Sequence, residues 1–208
     1  SVSEYPAWVD WRRVDRACRL FLRSGVAGGL VLGLRSLPYG YAAPAGTWKR
    51  HLFPAHAVLW RSRMVRDAPV IEETVERPGR RALLGIRGCD LAAVLVQDRV
   101  LLHGAHPDPI YSARRADLLL VAVACGTPAS TCFCASMGCG PGVGEGADIA
   151  MTELDAGDVS RHRFLVEART EVGRTVVRRL AGTSATDDDD RAAADVIEAA
   201  AATQTRSV

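Results

Sequence analysis

The chain has 208 residues, of which 48% are hydrophobic, and a formal net charge of +2 at pH 7. This length and composition suit one large domain, or a domain with a small appendage, built around a substantial core. The nearly balanced charge argues against general attraction to nucleic acid. No apolar run reaches the roughly eighteen residues of a membrane span, and the N-terminus lacks a signal-peptide pattern. We therefore expect a cytoplasmic protein.

The first third of the chain predicts one helix and two short strands. Apolar residues recur at helical spacing over residues 10–23, and Cys18 lies on that apolar stripe, so we expect Cys18 to be a core residue rather than a metal ligand. Residues 30–34 and 58–61 read as strands. Residues 72–80 are charged and predict a turn.

A strand–helix–strand pattern occupies the middle of the chain. Residues 81–87 and 118–124 are apolar strands, and residues 91–102 predict a helix that is apolar on most sides and hence largely buried. A second, short helix is expected over 108–115. Because parallel strands are covered on both faces, the unbroken apolar runs favour a parallel pair. The sequence therefore predicts an α/β fold: a mixed sheet with a parallel βαβ core and a cysteine-rich loop at the carboxyl ends of its strands.

The last part of the chain predicts two strands, two helices and a linker. The strands are residues 149–154 and 164–168, and a helix over 170–180 has Thr170 as its N-cap. An acidic linker, 183–190, precedes an alanine-rich helix, 191–202. We divide the chain into a cysteine-cluster α/β domain, 1–181, whose segment 1–47 is a helical and strand part, and a terminal segment, 182–208. We expect that segment to contribute little to the core.

Four of the six cysteines fall within residues 125–139, directly after an apolar strand. Cys89 follows one strand of the parallel pair and Cys125 follows the other, so both should emerge at the carboxyl edge of the sheet. Cys89 also begins a helix, where the helix dipole favours a thiolate. The loop can return Cys132 and Cys134 to the same place, with Cys139 competing for one position. The predicted metal ligands are Cys89, Cys125, Cys132 and Cys134, with Cys139 as a possible alternate.

These spacings favour an iron–sulfur cluster over zinc. Structural zinc usually takes paired cysteine knuckles separated by two to four residues. Here the spacings are Cys-x6-Cys-x-Cys-x4-Cys with the remaining candidate ligand 36 residues upstream, a pattern that is unusual for zinc. Four thiolates suit a [4Fe–4S] cluster, and backbone N–H groups at Gly138 and Gly140 could approach its sulfurs. Arg87 and Arg115 could offset the negative charge of the cluster.

Three segments carry a resemblance to a known family. They are residues 85–93 (GIRGCDLAA), 108–115 (DPIYSARR) and 131–138 (TCFCASMG). Over roughly residues 45–181 the chain resembles the iron–sulfur beta subunits of cytoplasmic sulfhydrogenases and the A subunit of anaerobic sulfite reductase. The resemblance implies an electron-transfer subunit, with no catalytic residue of its own. It would pass electrons through [4Fe–4S] clusters between a flavin-containing or ferredoxin partner and a catalytic hydrogenase or sulfite reductase subunit.

The chain departs from the family pattern in three places. It has no ferredoxin-like dicluster domain with Cys-x2-Cys-x2-Cys runs, its segment before Trp48 is short, and Cys139 stands where Thr or Ser is expected. We therefore expect the chain to be the N-terminal part of a longer polypeptide.

Two other functions fit the cysteines. One is a zinc-stabilised interaction domain. The other is a thiol–disulfide or sulfur-handling enzyme that uses Cys132 and Cys134, although no His lies near the cysteine loop in sequence to act as its base.

Overall fold

The computed structural model describes residues 30–33, 48–74, 79–154, 163–180 and 183–208. Its strands, in chain order, are β1 (Leu30–Gly33), β2 (Trp60–Val65), β3 (Ala68–Glu73), β4 (Arg81–Ile86), β5 (Leu118–Val123), β6 (Ile149–Leu154) and β7 (Arg163–Ala168). Its helices are α1 (Lys49–Leu52), α2 (Gly88–Leu101), α3 (Pro109–Arg115), α4 (Glu171–Val177) and α5 (Asp187–Ala202). The helix predicted over residues 10–23, and Cys18 with it, lie outside the described residues.

Five strands form one mixed sheet in the order β1-β4-β5-β6-β7. The first four are mutually parallel, and β7 runs antiparallel to β6. The predicted parallel pair is confirmed, with Leu83 of β4 opposite Leu120 of β5. The α/β fold class predicted from the sequence is therefore correct.

The sheet is covered on both faces, and β5 is buried along its whole length. Alternate residues of β5 point to opposite faces, so one strand contributes to two hydrophobic clusters. On one face, Val121 packs in a cluster with Phe164 and with Val176 of α4. On the other, Leu120 packs in a cluster with Leu91 of α2. Burial on both faces explains the unbroken apolar runs of the sequence.

Helix α2 is less buried than its composition suggests. Leu91 and Val94 are fully buried, whereas Val96 and Val100 are 51% and 63% exposed. The helix is apolar on most sides, as predicted, but its burial was overestimated, because Val96, Arg99 and Val100 are exposed.

Strands β2 and β3 form a separate antiparallel hairpin. The sequence analysis predicted only a short strand at 58–61 and a turn at 72–80, yet Glu72 and Glu73 lie in β3. The hairpin turn consists of Arg66 and Asp67, with φ of 49° and 63°. Such two-residue turns are recognised in sequence mainly by Asn-Gly or Asp-Gly pairs, so this one left no clear signal.

The terminal helix packs against the sheet. It begins at Asp187, four residues before the predicted start, and the Asp189 carboxylate accepts a hydrogen bond from the Thr186 N–H at 2.9 Å. Helix α5 lies against β6 and β7, and both Ala193 and Ala200 are buried. The expectation that this segment contributes little to the core agrees with the two hydrophobic clusters, neither of which includes a residue of α5, but Ala193 and Ala200 are buried where the helix lies against the sheet.

No helix in the described parts of the chain is long and apolar enough to span a lipid bilayer.

Candidate metal centre

The carboxyl ends of β4 and β5 place two cysteines at one edge of the sheet. Cys89 is the second residue of α2, which begins two residues after β4 ends, and Cys125 stands two residues after the end of β5. A β-bulge at Gly85, with φ of 93°, shifts the pairing of β4 with β5 just before this edge. Bulges of this kind redirect side chains near functional sites.

The loop between β5 and β6 returns to the same edge. The Cys125 N–H donates to the Pro141 carbonyl at 2.9 Å, so the glycine-rich part of the loop lies beside the end of β5. The Cys139 N–H donates to the Cys134 carbonyl at 3.0 Å, which closes a tight turn. The loop thereby folds its later cysteines back toward Cys125, as the sequence predicted.

Asp148 anchors the far end of the loop. Its Oδ2 accepts a hydrogen bond from the Leu120 N–H at 2.8 Å, in the middle of β5. Its Oδ1 accepts from the Thr170 hydroxyl at 2.6 Å, and that hydroxyl in turn accepts from the Gly173 N–H at 3.1 Å as the N-cap of α4. The predicted Thr170 cap is thus confirmed, and it also ties the loop to the sheet.

Two glycines let the loop reach the start of α2. A Cβ on Gly88 would lie 2.1 Å from the Gly142 carbonyl oxygen, so the two backbones are in direct contact. A Cβ on Gly140 would lie 2.9 Å from Cys134 Sγ and 3.8 Å from the backbone nitrogen of Cys89. Gly140 therefore lies between two of the predicted ligands.

Gly138 differs from Gly140. It has a φ of 65°, and no atom lies within 4 Å of where its Cβ would be. The positive φ alone accounts for a glycine at this position, since no neighbouring atom limits the size of the side chain. The cofactor-binding role of Gly138 and Gly140 stays a prediction.

The thiol of Cys89 binds its proton tightly. Burial, followed by the negative charges of Asp90 and Cys134, raises its pKa to about 11, although a hydrogen bond from the Asp90 backbone N–H acts in the opposite direction. The sequence analysis expected the helix N-terminus to favour a thiolate at this position. That effect is present, but burial outweighs it.

Burial also raises the pKa of two neighbouring thiols. Burial raises the pKa of Cys125, the charges of Cys132 and Cys134 add to this, and Arg87 opposes it. Burial also raises the pKa of Cys139, again with a contribution from Cys134. Cys134 is thus an electrostatic neighbour of Cys89, Cys125 and Cys139 alike, and Cys132 is one of Cys125, so the loop brings later cysteines near both Cys89 and Cys125.

The five cysteines of the described residues are all free thiols. In that part of the chain, no three Cys, His, Asp or Glu side chains are arranged so that they could hold a metal ion. The predicted ligands lie in one neighbourhood, and several soft sulfur donors there fit an iron–sulfur cluster or zinc. The ligand set Cys89, Cys125, Cys132 and Cys134 stays a prediction. That Cys139 could replace one of these four ligands is also a prediction.

Arg87 brings a positive charge to this neighbourhood. It is only 4% exposed, and its Nη1 donates to the Val123 carbonyl oxygen at 3.3 Å. Among the described residues its buried Nε has no hydrogen-bond partner. Burial lowers the pKa of Arg87, while the charges of Cys125, Glu153 and Cys89 raise it. A buried cation beside thiols suits an anionic occupant.

Arg115 lies elsewhere. Its Nε donates to both carboxylate oxygens of Asp98 at 3.1 Å, and Asp98 also accepts from the Tyr111 hydroxyl at 2.7 Å. Asp98 is nine residues beyond Cys89 on α2, about 14 Å along the helix axis. The suggestion that Arg115 offsets charge at the cysteines is therefore wrong.

Gln204 is a contact that sequence reasoning missed. Its Nε2 lies 3.4 Å from Cys134 Sγ, and its Oε1 accepts a hydrogen bond from the Ala135 N–H at 3.0 Å. The residue directly follows Thr203, which caps the C-terminus of α5. Because seventy residues separate the two partners, no local pattern could have indicated the contact.

Comparisons with known proteins give one informative relative. No family model matches the chain, and no solved structure matches it. The chain is 33% identical over 99 residues to the beta subunit of sulfhydrogenase 2 from Pyrococcus furiosus. The match covers 45% of this chain and 29% of that protein, so it spans less than a third of the relative's length. It supports a relationship to a family of hydrogenase-complex subunits.

Proposed function

We propose that this chain belongs to an electron-transfer subunit and binds one [4Fe–4S] cluster through Cys89, Cys125, Cys132 and Cys134. The observation that supports it most is the convergence of these cysteines, with Cys139, at the carboxyl edge of the parallel strands beside the buried Arg87. The similarity to a sulfhydrogenase beta subunit agrees with this function. The cluster, when bound, supplies reversible one-electron transfer.

The residues of this chain would bind, orient and charge-balance that group. Thiols must lose their protons to act as ligands, so loading has to displace the tightly held proton of Cys89. Gly140 keeps the loop close to α2, and its lack of a side chain leaves space between Cys134 and Cys89. Arg87 would offset part of the negative charge, which favours the reduced state.

The partners belong to the proposal as well. Electrons would pass between a flavin-containing subunit, or a ferredoxin, and a catalytic subunit of the hydrogenase or sulfite reductase type. The chain itself would perform no substrate chemistry. Such a cluster needs a reducing compartment such as the cytoplasm, where clustered thiols stay reduced.

The test is metal analysis of anaerobically purified protein. We expect about four iron and four sulfide per chain and a brown colour, as for a [4Fe–4S] cluster. An electron paramagnetic resonance signal should appear after reduction. Wild-type protein that carries zinc and never binds iron would overturn the electron-transfer function.

The ligand set is tested with single Cys→Ser variants. Changing Cys89, Cys125, Cys132 or Cys134 should abolish the intact cluster, whereas Cys139→Ser should keep it. Cys18→Ala is the matched control and should leave iron content unchanged. If Cys89→Ser retains a full cluster while Cys139→Ser loses it, the ligand assignment is wrong.

Zinc is the second candidate, because tetrahedral zinc also takes four thiolates. Metal content separates the two, since a zinc protein is colourless. The third possibility, thiol chemistry at Cys132 and Cys134, predicts turnover of a disulfide or polysulfide by metal-free protein, which neither metal site requires.

A further inference from the structure

We propose that Gln204 is a positioning residue that holds Cys134 and donates a hydrogen bond to its sulfur. This inference rests on the proposed function for its redox consequence, but not for the contact itself. The carboxamide touches the loop at two points, the Ala135 N–H and Cys134 Sγ. Oε1 accepts from the Ala135 N–H, and Nε2 is the carboxamide atom nearer to the sulfur, at 3.4 Å against 3.6 Å for Oε1.

Helix α5 sets the position of Gln204. The Gln204 N–H donates to the Ala201 carbonyl at 3.1 Å, so the residue continues the last turn of the helix. The helix is held at its other end by Arg163 Nη2, which lies 3.8 Å from Asp189 Oδ1. Between these ends Ala193 and Ala200 are buried. The carboxamide is therefore presented by a docked element.

Two further contacts place the terminal segment along the cysteine loop. A Cβ on Gly142 would lie 3.4 Å from Ile197 Cγ2, which is ordinary van der Waals contact. The Val208 N–H donates to the Ser136 hydroxyl at 3.3 Å. Together with Gln204, these contacts follow the loop from residue 134 to residue 142. The segment thus lies beside the loop at residues 134–136 and at Gly142.

When Cys134 is a metal ligand, its hydrogen bond with Gln204 can have only one direction, because the sulfur can only accept. A thiol can donate to Oε1 or accept from Nε2, and both separations are short, at 3.6 and 3.4 Å. A thiolate has lost its proton and can only accept. The N–H donated by Gln204 then stabilises negative charge on the sulfur, and hydrogen bonds to cluster sulfurs are one determinant of reduction potential. Gln204 should therefore raise the potential.

Two variants distinguish the positioning of Cys134 by Gln204 from the hydrogen bond that Gln204 donates to the sulfur. Gln204→Leu removes both contacts at similar size. Gln204→Glu keeps an oxygen that can accept from Ala135 but replaces the N–H donor with a carboxylate oxygen facing Cys134. Ala199→Glu is the matched control, because it adds the same charge at an exposed position of α5.

The first measurement uses metal-free, reduced protein. Iodoacetamide labelling of Cys134 is followed by peptide mass spectrometry, with Cys139 as the internal reference. At a pH where both thiols are ionised, so that loss of the Gln204 N–H does not reduce the reactive thiolate fraction, we expect Gln204→Leu to speed the labelling of Cys134 several-fold relative to Cys139. Ala199→Glu should leave the ratio unchanged. An unchanged ratio in Gln204→Leu would overturn the positioning role, whatever metal the protein binds.

The second measurement is the midpoint potential of the reconstituted protein. Both Gln204 variants should shift it to more negative values, with Gln204→Glu shifted furthest, while Ala199→Glu stays at the wild-type value. Equal potentials in all four proteins at equal iron content would overturn the hydrogen-bond role. If wild-type protein binds no iron, the proposed function fails, and the labelling measurement still decides whether Gln204 holds Cys134.

Discussion

Arg87 provides the buried positive charge beside Cys89 and Cys125. Its backbone lies between the end of β4 and the start of α2, so the sheet and the helix both determine where the guanidinium points. Since it is 4% exposed, its charge is weakly screened by water. The side chain should therefore influence both the stability of the fold and the charge state of whatever the cysteines bind.

Replacing Arg87 tests this influence. Arg87→Gln should lower the iron content and shift the midpoint potential to more negative values, because a positive charge beside the reduced cluster is lost. It should also destabilise the fold by about 1–3 kcal/mol, as the buried hydrogen bond to Val123 is disrupted. Arg99→Gln, at the exposed far end of α2, is the control and should match wild type. A wild-type potential in Arg87→Gln would contradict the assignment.

His51 makes stability depend on pH. Burial, followed by the charges of Arg50, Arg81 and Arg114, lowers its pKa below the ordinary value of 6.5. The folded state therefore prefers the neutral imidazole, so the unfolded state binds the proton more readily. The stability contributed by this preference is present above pH 6.5 and is lost as pH falls below it.

Urea unfolding at pH 7.5 and pH 5.5 measures this effect. Wild-type protein should be less stable at the lower pH, and His51→Gln should lose less stability than wild type between the two. Equal losses in the two proteins would show that His51 does not contribute.

At the scale of elements, the site depends on how closely the loop approaches α2. The contact between Gly88 and the Gly142 carbonyl leaves no room for a side chain. Gly144 belongs to the same glycine-rich run, but a Cβ there would have no neighbour within 4 Å. Gly88, at the start of α2, and Gly144, in the loop, therefore differ in packing.

Alanine substitutions distinguish the two positions. Gly88→Ala should destabilise the protein by about 1–3 kcal/mol, because the loop must move away from the helix. Gly144→Ala should change stability by no more than about 0.5 kcal/mol. Denaturant midpoints measure both. Helix propensity alone predicts the opposite sign at Gly88, a gain of about 1 kcal/mol, so a stabilised Gly88→Ala variant would refute the close contact.

For the whole molecule, the terminal segment connects the outer strands of the sheet with the cysteine loop. Helix α5 lies against β6 and β7, and Gln204 reaches Cys134. One helix thus links two regions of the domain that are distant in sequence.

Deleting residues 183–208 should lower the melting temperature of metal-free protein by at least about 4 °C. That drop corresponds to a loss of about 2 kcal/mol for a chain of this size. The physical reason is that apolar surface of the sheet and the buried alanines of α5 become exposed together. Glu198→Gln, an exposed change on the same helix, should keep the wild-type value. A deletion that melts at the wild-type temperature would show that α5 adds nothing to the domain.

The amino-acid sequence by itself determined the central part of the sheet and the positions of the cysteines along it. Residues 118–124 could be recognised as a buried strand because burial on both faces requires an unbroken apolar run. Cys89 and Cys125 could be placed at one edge because parallel strands end on the same side. These conclusions follow from patterns within short segments, which the local sequence records.

Only the tertiary structure decided the surroundings of the cysteines. Burial of Cys89 is a collective result of the packing of the loop on α2, and it reverses the effect expected from the helix N-terminus. Arg115 binds Asp98 rather than approaching the thiols. Gln204 meets Cys134 across seventy residues because α5 docks on the sheet. Contacts between residues so distant in sequence depend on where whole elements pack, and no local pattern of residues records that.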